Sequence, residues 1–501
     1  MTFELELPEP VEKTARTSWH VLVQASGEGG YDRVTLSPAK NMSEAFFSIG
    51  VGDWSEKCFA TITMADGSSR EVFFRCKLLE LSEDAQDFRL YISALCQTSG
   101  WANPESICRE IESNNGIFGH EGGLIGYSEG WFDLDTYVEI NELHDAWLGD
   151  VVTTLIQKHK WDLLYLHSHP IDWAYHVLMD NLDEHTAESE QDYKKAWEVH
   201  RKIYQSQDRL LGRIVEGAGQ DTLLVLVSDH GAGKGGATFN PYHPLVAAGL
   251  TVPEGEGGGA EGRATPRGRV VPDIAKSKVL AQRMCHIYIN LKGRDPEGIV
   301  EPCDYEKVQR QVIDALYCWV DPDTGNRPVS LALTKIDARI LGLHGERVGD
   351  VVYALYTDAG NQHGQQLSAA ESTVGKLKSL LVLSGPGARQ GYRLQRTCWL
   401  TDIVPTICYL CRWPVPAQAE GSVIYQALAN PNNWSPAEQP LRPAGEGVVI
   451  DMEEKERQPE DIPDGKDGEK GQRSSAEGSV DAEKKKKLNE RLKKLGYDLP
   501  Y

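Results

Sequence analysis

Leu163-Leu164-Tyr165-Leu166-His167-Ser168-His169-Pro170-Ile171-Asp172-Trp173-Ala174-Tyr175-His176 is the stretch on which the reading of this chain turns. Its first four residues make an apolar run of strand length, and the Pro-containing loop that follows delivers Asp172 and then His176. Four residues apart, a carboxylate and an imidazole share one face once the segment turns helical. The pattern of an apolar run followed by ionisable residues recurs twice. Leu223-Leu224-Val225-Leu226-Val227 is continuous, as a parallel strand covered on both faces should be, and Ser228-Asp229-His230-Gly231 follow it directly. Val351-Val352-Tyr353-Ala354-Leu355 is a third run of buried type, with His363-Gly364 in the loop beyond. Each motif alone is commonplace. In order after three strands, they fall where open α/β sheets bind ligands. Two carboxylates and three imidazoles form a mixed oxygen and nitrogen set that suits zinc, with manganese or iron as alternatives.

Together these motifs resemble the alkaline phosphatase superfamily, and within it the type I phosphodiesterase and nucleotide pyrophosphatase-like proteins. The resemblance covers most of the chain. It includes Ile287-Tyr288-Ile289-Asn290-Leu291-Lys292-Gly293-Arg294, then Gly385-Pro386-Gly387, then Thr401-Asp402-Ile403-Val404-Pro405-Thr406 with Pro416 and Gly421 beyond. It implies an α/β fold with a mostly parallel sheet flanked by helices, and a metal-dependent hydrolase of phosphodiesterase or nucleotide pyrophosphatase type. The implied cofactors are two divalent ions, zinc before manganese, and the implied partner is a small-molecule phosphate ester. Asp172, His176 and His363 would bind one ion, while Asp229 and His230 would help bind the other.

The family also uses a further Asp and a nucleophilic Thr or Ser near its N-terminus. Thr14, Thr17 and Ser18 supply hydroxyls without the preceding strand and Asp, so no catalytic nucleophile is assigned. The chain is therefore read as the later part of a family member, with an upstream-encoded N-terminal segment as a partner. By itself it is expected to hold one ion and to be inactive. Two further readings stay open: a non-catalytic member or gene fragment acting as a binding protein, and a phosphosugar mutase of the same superfamily. The early β-rich region and Gly293-Arg294-Asp295-Pro296 disfavour the mutase.

With 501 residues the chain can bury a large core, and its net charge of −22 argues against binding duplex nucleic acid, which needs a basic surface. A phosphate-ester substrate is compatible with that charge, because bound cations reverse the local field. The ten cysteines, Cys58, Cys76, Cys285 and Cys318 among them, lack a framework spacing and read as reduced and buried, hence cytoplasmic. No apolar run is long enough for an integral membrane segment, and no signal-peptide pattern opens the chain.

Residues 1–110 read as a β-rich cap or inserted domain, with Cys58 to Thr63 and Glu71 to Arg75 as a hairpin around Ala65-Asp66-Gly67. Residues 117–430 read as the α/β metal-binding domain, and 432–501 as a charged, largely disordered tail ending in a Leu488, Leu492, Leu495 helix. Tyr193, Trp197, His200, Tyr204 and Leu211 recur at helical spacing and read as core, with Gly217 and Gly219 ending that helix. His167 and His169 read as supporting or core residues. Cys408-x-x-Cys411 reads as structural, and the Gly231 to Gly236 loop gives backbone freedom, with Lys234 an outside candidate for substrate phosphate.

Overall fold

The computed structural model describes residues 2–6, 18–27, 29–64, 67–115, 123–234, 239–254, 270–282, 285–322, 324–356 and 378–432. They fall into two compact units. The first runs to Ala232 and includes Leu380–Gln395; the second runs from Gly233 to Ser379 and includes the described residues from Arg396 onward.

The first unit begins with strands. β1 (Thr2–Glu6), β2 (Ser18–Gln24), β3 (Arg33–Ser37) and β4 (Phe47–Gly50) form a four-stranded antiparallel sheet in that order. In β2 the period-two pattern sends Trp19, Val21 and Val23 inward, and the Trp19 ring stacks on Phe74 at 4.7 Å. The expected hairpin is present: β5 (Cys58–Thr63) pairs with β6 (Ser69–Phe74), although Ala65 and Asp66 of its turn lie outside the described residues. β7 (Cys76–Leu81) and β8 (Phe88–Ile92) make a second antiparallel pair, and β9 (Cys96–Gln97) extends the first. These strands do not stand apart from the helices that follow. Tyr91 of β8 packs edge-on against Phe132 at 5.1 Å, and the buried Lys77 pairs with Glu139, whose carboxylate also accepts from the Trp54 indole at 2.7 Å.

Helices carry the rest of this unit: α1 (Ser106–Asn115), α2 (Leu124–Ser128), α3 (Leu134–Lys158), α4 (Pro170–Leu178) and α5 (Glu190–Ala218). Asp133 caps α3 by accepting from the Thr136 N–H, and Ser189 caps α5 by accepting from that of Asp192. Gly219, at φ +78°, ends α5, whereas Gly217 lies within it. The buried stripe of α5 is Ala196, Val199, His200, Ile203, Ser206 and Leu210, so the expected core stripe is displaced. Small and aliphatic side chains let α5 lie close along α3, and Trp197 and Tyr204 are left half-exposed around the buried His200.

The expected parallel sheet is not found among the described residues, where every ladder between strands is antiparallel. β10 (Leu224–Val227) pairs antiparallel with Leu381–Ser384, and none of its four residues is fully buried, contrary to the reading of a strand covered on both faces. Leu163–Leu166 forms no strand; Leu163 and Tyr165 are 65% and 81% exposed. Apolar composition alone cannot choose between a covered parallel strand and other placements of the same run, since hydrogen-bond partners decide it.

In the second unit α6 (Tyr242–Ala247) precedes an antiparallel sheet of order β11-β12-β14-β13, made by β11 (Val279–Gln282), β12 (His286–Ile289), β13 (Val329–Thr334) and β14 (Val351–Leu355). All five residues of β14 are buried, because it is an interior strand. α7 (Tyr305–Cys318) packs Val308, Val312 and Leu316 into the same core. Asp350, fully buried, accepts from the Ile289 N–H, from Arg294 and from the Tyr305 hydroxyl. Asp402 ties the start of α8 (Ile403–Cys411) to the segment beyond it, accepting from the backbone N–H groups of Trp399 and Ser422. Only glycine fits at Gly421, where a Cβ would stand 2.0 Å from the Thr401 carbonyl oxygen.

All ten cysteines are free thiols. Cys58, Cys76, Cys108 and Cys408 are buried, as expected, but Cys303 and Cys318 are exposed; Cys318 ends α7, two residues past the buried Leu316. Cys408 and Cys411 both lie on α8, Cys408 buried and Cys411 half-buried. No helix among the described residues is long and apolar enough to cross a membrane.

Candidate metal-ion site

The local sequence builds this site from two segments of the first unit. Pro170 at the first turn of α4 starts the helix where the missing N–H costs nothing. The helix buries Ala174 and Leu178 on one side, which turns Asp172 and His176 together on the other. The second segment is the loop after β10. Its strand pairing runs one bond further, from the Ser228 N–H to the Leu380 carbonyl at 3.0 Å, and the Ser228 hydroxyl donates to the His230 carbonyl at 2.7 Å. Gly385 permits this arrangement: at φ +118° it passes the Thr222 backbone so closely that a Cβ would lie 2.3 Å from the carbonyl oxygen.

Four expected donors come together: Asp172 faces His176 and His230, and His230 in turn faces Asp229. Asp172 Oδ2 lies 3.5 Å from His176 Nε2, and Asp172 Oδ1 lies 4.0 Å from His230 Nε2. His230 Nε2 is in turn 3.7 Å from Asp229 Oδ2. The fifth expected donor, His363, lies outside the described residues. The hydrogen bond and charge of Asp172 raise the pKa of His176 above the ordinary imidazole value, against the opposing effect of burial.

The Gly231 carbonyl orients the His230 ring. Its Nδ1 is 2.8 Å from that oxygen, which can only accept, so Nδ1 carries a hydrogen and Nε2 is turned to the side of two carboxylates. Donors around a tetrahedral ion with bonds of about 2.0–2.1 Å stand roughly 3.3 Å apart. The observed separations of 3.5, 3.7 and 4.0 Å exceed that by a few tenths of an ångström, and among the described residues no three such donors are drawn in as tightly as a bound ion would hold them. The donor types, two carboxylates and two imidazoles, fit a divalent cation.

One contributor went unnoticed in the sequence. Tyr137 of α3 is fully buried near Asp172, and burial first, then the Asp172 charge, push its phenol pKa up, so that it stays protonated. Nothing in the spacing of α3 marks it. Two clefts of about 670 Å³ are lined by the second unit alone, Tyr305 and Lys335 among their residues, and none of the four donors lines either.

Comparison with known protein families places the chain. The model of the type I phosphodiesterase / nucleotide pyrophosphatase family matches residues 88–369, more than half of the chain and a span that includes all five expected donors. The chain belongs to this family, which is part of the alkaline phosphatase superfamily. No curated protein and no solved structure matches it.

Proposed function

We propose that the chain acts as a metal-dependent hydrolase of phosphodiester or pyrophosphate bonds in small-molecule phosphate esters, with Asp172 at the centre of its site. The approach of His176 and His230 to Asp172, with Asp229 beside His230, carries this reading, in a chain of the type I phosphodiesterase family. Asp172, His176 and His363 would hold one divalent ion, and Asp229 with His230 would contribute to a second, zinc or manganese. Such ions polarise a phosphoryl oxygen and neutralise charge that builds up on it.

The chain's own residues orient and constrain. Asp172 places one oxygen toward each imidazole, so one side chain positions donors from two segments. The Gly231 carbonyl orients the His230 ring, and the His230 backbone N–H donates to Asp229 Oδ1 at 3.1 Å, restraining the carboxylate that projects furthest into solvent. Recognition centred on the phosphoryl group leaves the choice of leaving group to other side chains.

Release of p-nitrophenolate from bis-p-nitrophenyl phosphate, with zinc or manganese added and then chelated, tests the proposal. Metal-dependent turnover that is lost in Asp172→Asn is expected, which departs from the inactivity read from the sequence for want of an assigned nucleophile. Absence of turnover, or turnover indifferent to both chelation and the substitution, overturns it.

A further inference from the structure

We propose that His167 and His169 form an additional site for a transition-metal ion that favours tetragonal nitrogen coordination, nickel or copper(II) ahead of zinc. The two imidazole rings lie with centroids 4.1 Å apart and planes inclined at 57°. Residues two apart on an extended segment project to the same side, and residues 161–169 form neither helix nor strand. The His169 ring is fixed from its other neighbour: it stacks on the Trp173 indole at 4.9 Å with only 9° between planes, and His169 already has helical φ and ψ at the start of α4. Between the two histidines, the Ser168 hydroxyl donates to Gln207 Oε1 of α5 at 2.9 Å, anchoring the backbone that carries both rings.

The ring geometry decides the class of ion. A metal bound at about 2.0–2.1 Å from an imidazole nitrogen lies roughly 3.2 Å from that ring's centroid. With one nitrogen of each ring turned to a shared ion at that distance, the 4.1 Å separation makes an angle of about 80° at the ion, closer to neighbouring ligands of a tetragonal site than of a tetrahedral one. Two imidazoles leave the remaining positions to water or to an anion such as a phosphate oxygen. Because His169 is one helical turn from Asp172, an ion here would stand beside the Asp172 cluster and add positive charge there. The site uses none of the five donors assigned to the proposed hydrolase, so the two assignments fail separately.

The test is titration of the full chain with Ni2+ alone, followed by equilibrium dialysis and elemental analysis, and with Cu2+ while indole fluorescence is read. The His167→Asn/His169→Asn double variant should bind one nickel fewer per chain than the unsubstituted protein, whereas Asp229→Asn should keep that nickel. His167→Asn alone, a change at an exposed residue, should weaken the extra nickel at least about tenfold with an unchanged far-ultraviolet circular dichroism spectrum. Equal nickel content and affinity in the unsubstituted protein and the double variant would overturn the site. Loss of two or more nickel ions per chain in a folded double variant would also overturn it, by showing that these histidines belong to the Asp172 cluster.

Discussion

Replacing Asp350 by Ala removes one side chain and leaves several donors stranded. The Ile289 N–H at 2.7 Å, the Tyr305 hydroxyl at 2.8 Å and two Arg294 nitrogens at 2.7 and 2.8 Å would all lose their acceptor. Removing one partner of a buried ion pair costs about 3–5 kcal/mol, since the remaining charge stays desolvated. The Arg294 side chain is 34% exposed, so water can meet part of its need, and the lower end, about 3 kcal/mol, applies. If β12 opens with the sheet of the second unit, 3 kcal/mol corresponds to roughly 100-fold faster amide exchange. Hydrogen exchange read by mass spectrometry on peptides spanning residues 285–300 isolates this region from the other unit. Asp295→Ala, which removes a contact to Arg294 at 3.1 Å and the acceptor of the Leu291 N–H, should have a smaller effect. Unchanged protection of β12 in Asp350→Ala would refute the role given to this carboxylate.

Three further outcomes follow from the same geometry. Gly385→Ala should lower the melting temperature of the protein and its metal content together, because the added Cβ would displace Thr222 and with it the strand leading to Asp229; a normal melt with normal metal content would contradict this. His200 is buried and burial lowers its pKa, so the folded state prefers the neutral ring; the resulting stability is complete above the unfolded value of about 6.5 and is lost as pH falls toward the lower folded value. The drop in melting temperature between pH 7.5 and pH 5 should thus be smaller in His200→Leu than in the unsubstituted protein. Asp133→Ala should destabilise α3 by about 1 kcal/mol through loss of its cap, measurable by urea titration of the helical signal.

Sequence spacing revealed the donors better than it revealed the sheet. Asp172 and His176 had to share a face once Pro170 began a helix, and Asp229 and His230 had to leave a strand together, because those relations are local. The pairing of β10 was not legible, since an apolar run carries no record of its hydrogen-bond partner; nor was the exposure of Tyr165, for the same reason. The resemblance at Ile287 to Arg294 and at Thr401 to Thr406 found real anchors, but their reasons needed coordinates. Arg294 matters because Asp350 lies 56 residues away in sequence, and Gly421 because the Thr401 carbonyl passes beside it. Tyr137 escaped notice for a similar reason: its burial within reach of the Asp172 charge depends on how α3 packs, and not on any motif it belongs to.

The central claim is that Asp172 organises a divalent-metal site for phosphoester hydrolysis, and zinc content compared between the unsubstituted chain and Asp172→Asn tests it most directly. Both proteins would be dialysed against limiting zinc and analysed for metal, with circular dichroism confirming the fold. Asp172→Asn should lose zinc, because a neutral amide replaces the charged oxygens that lie between His176 and His230. Equal zinc content in the two folded proteins would contradict it.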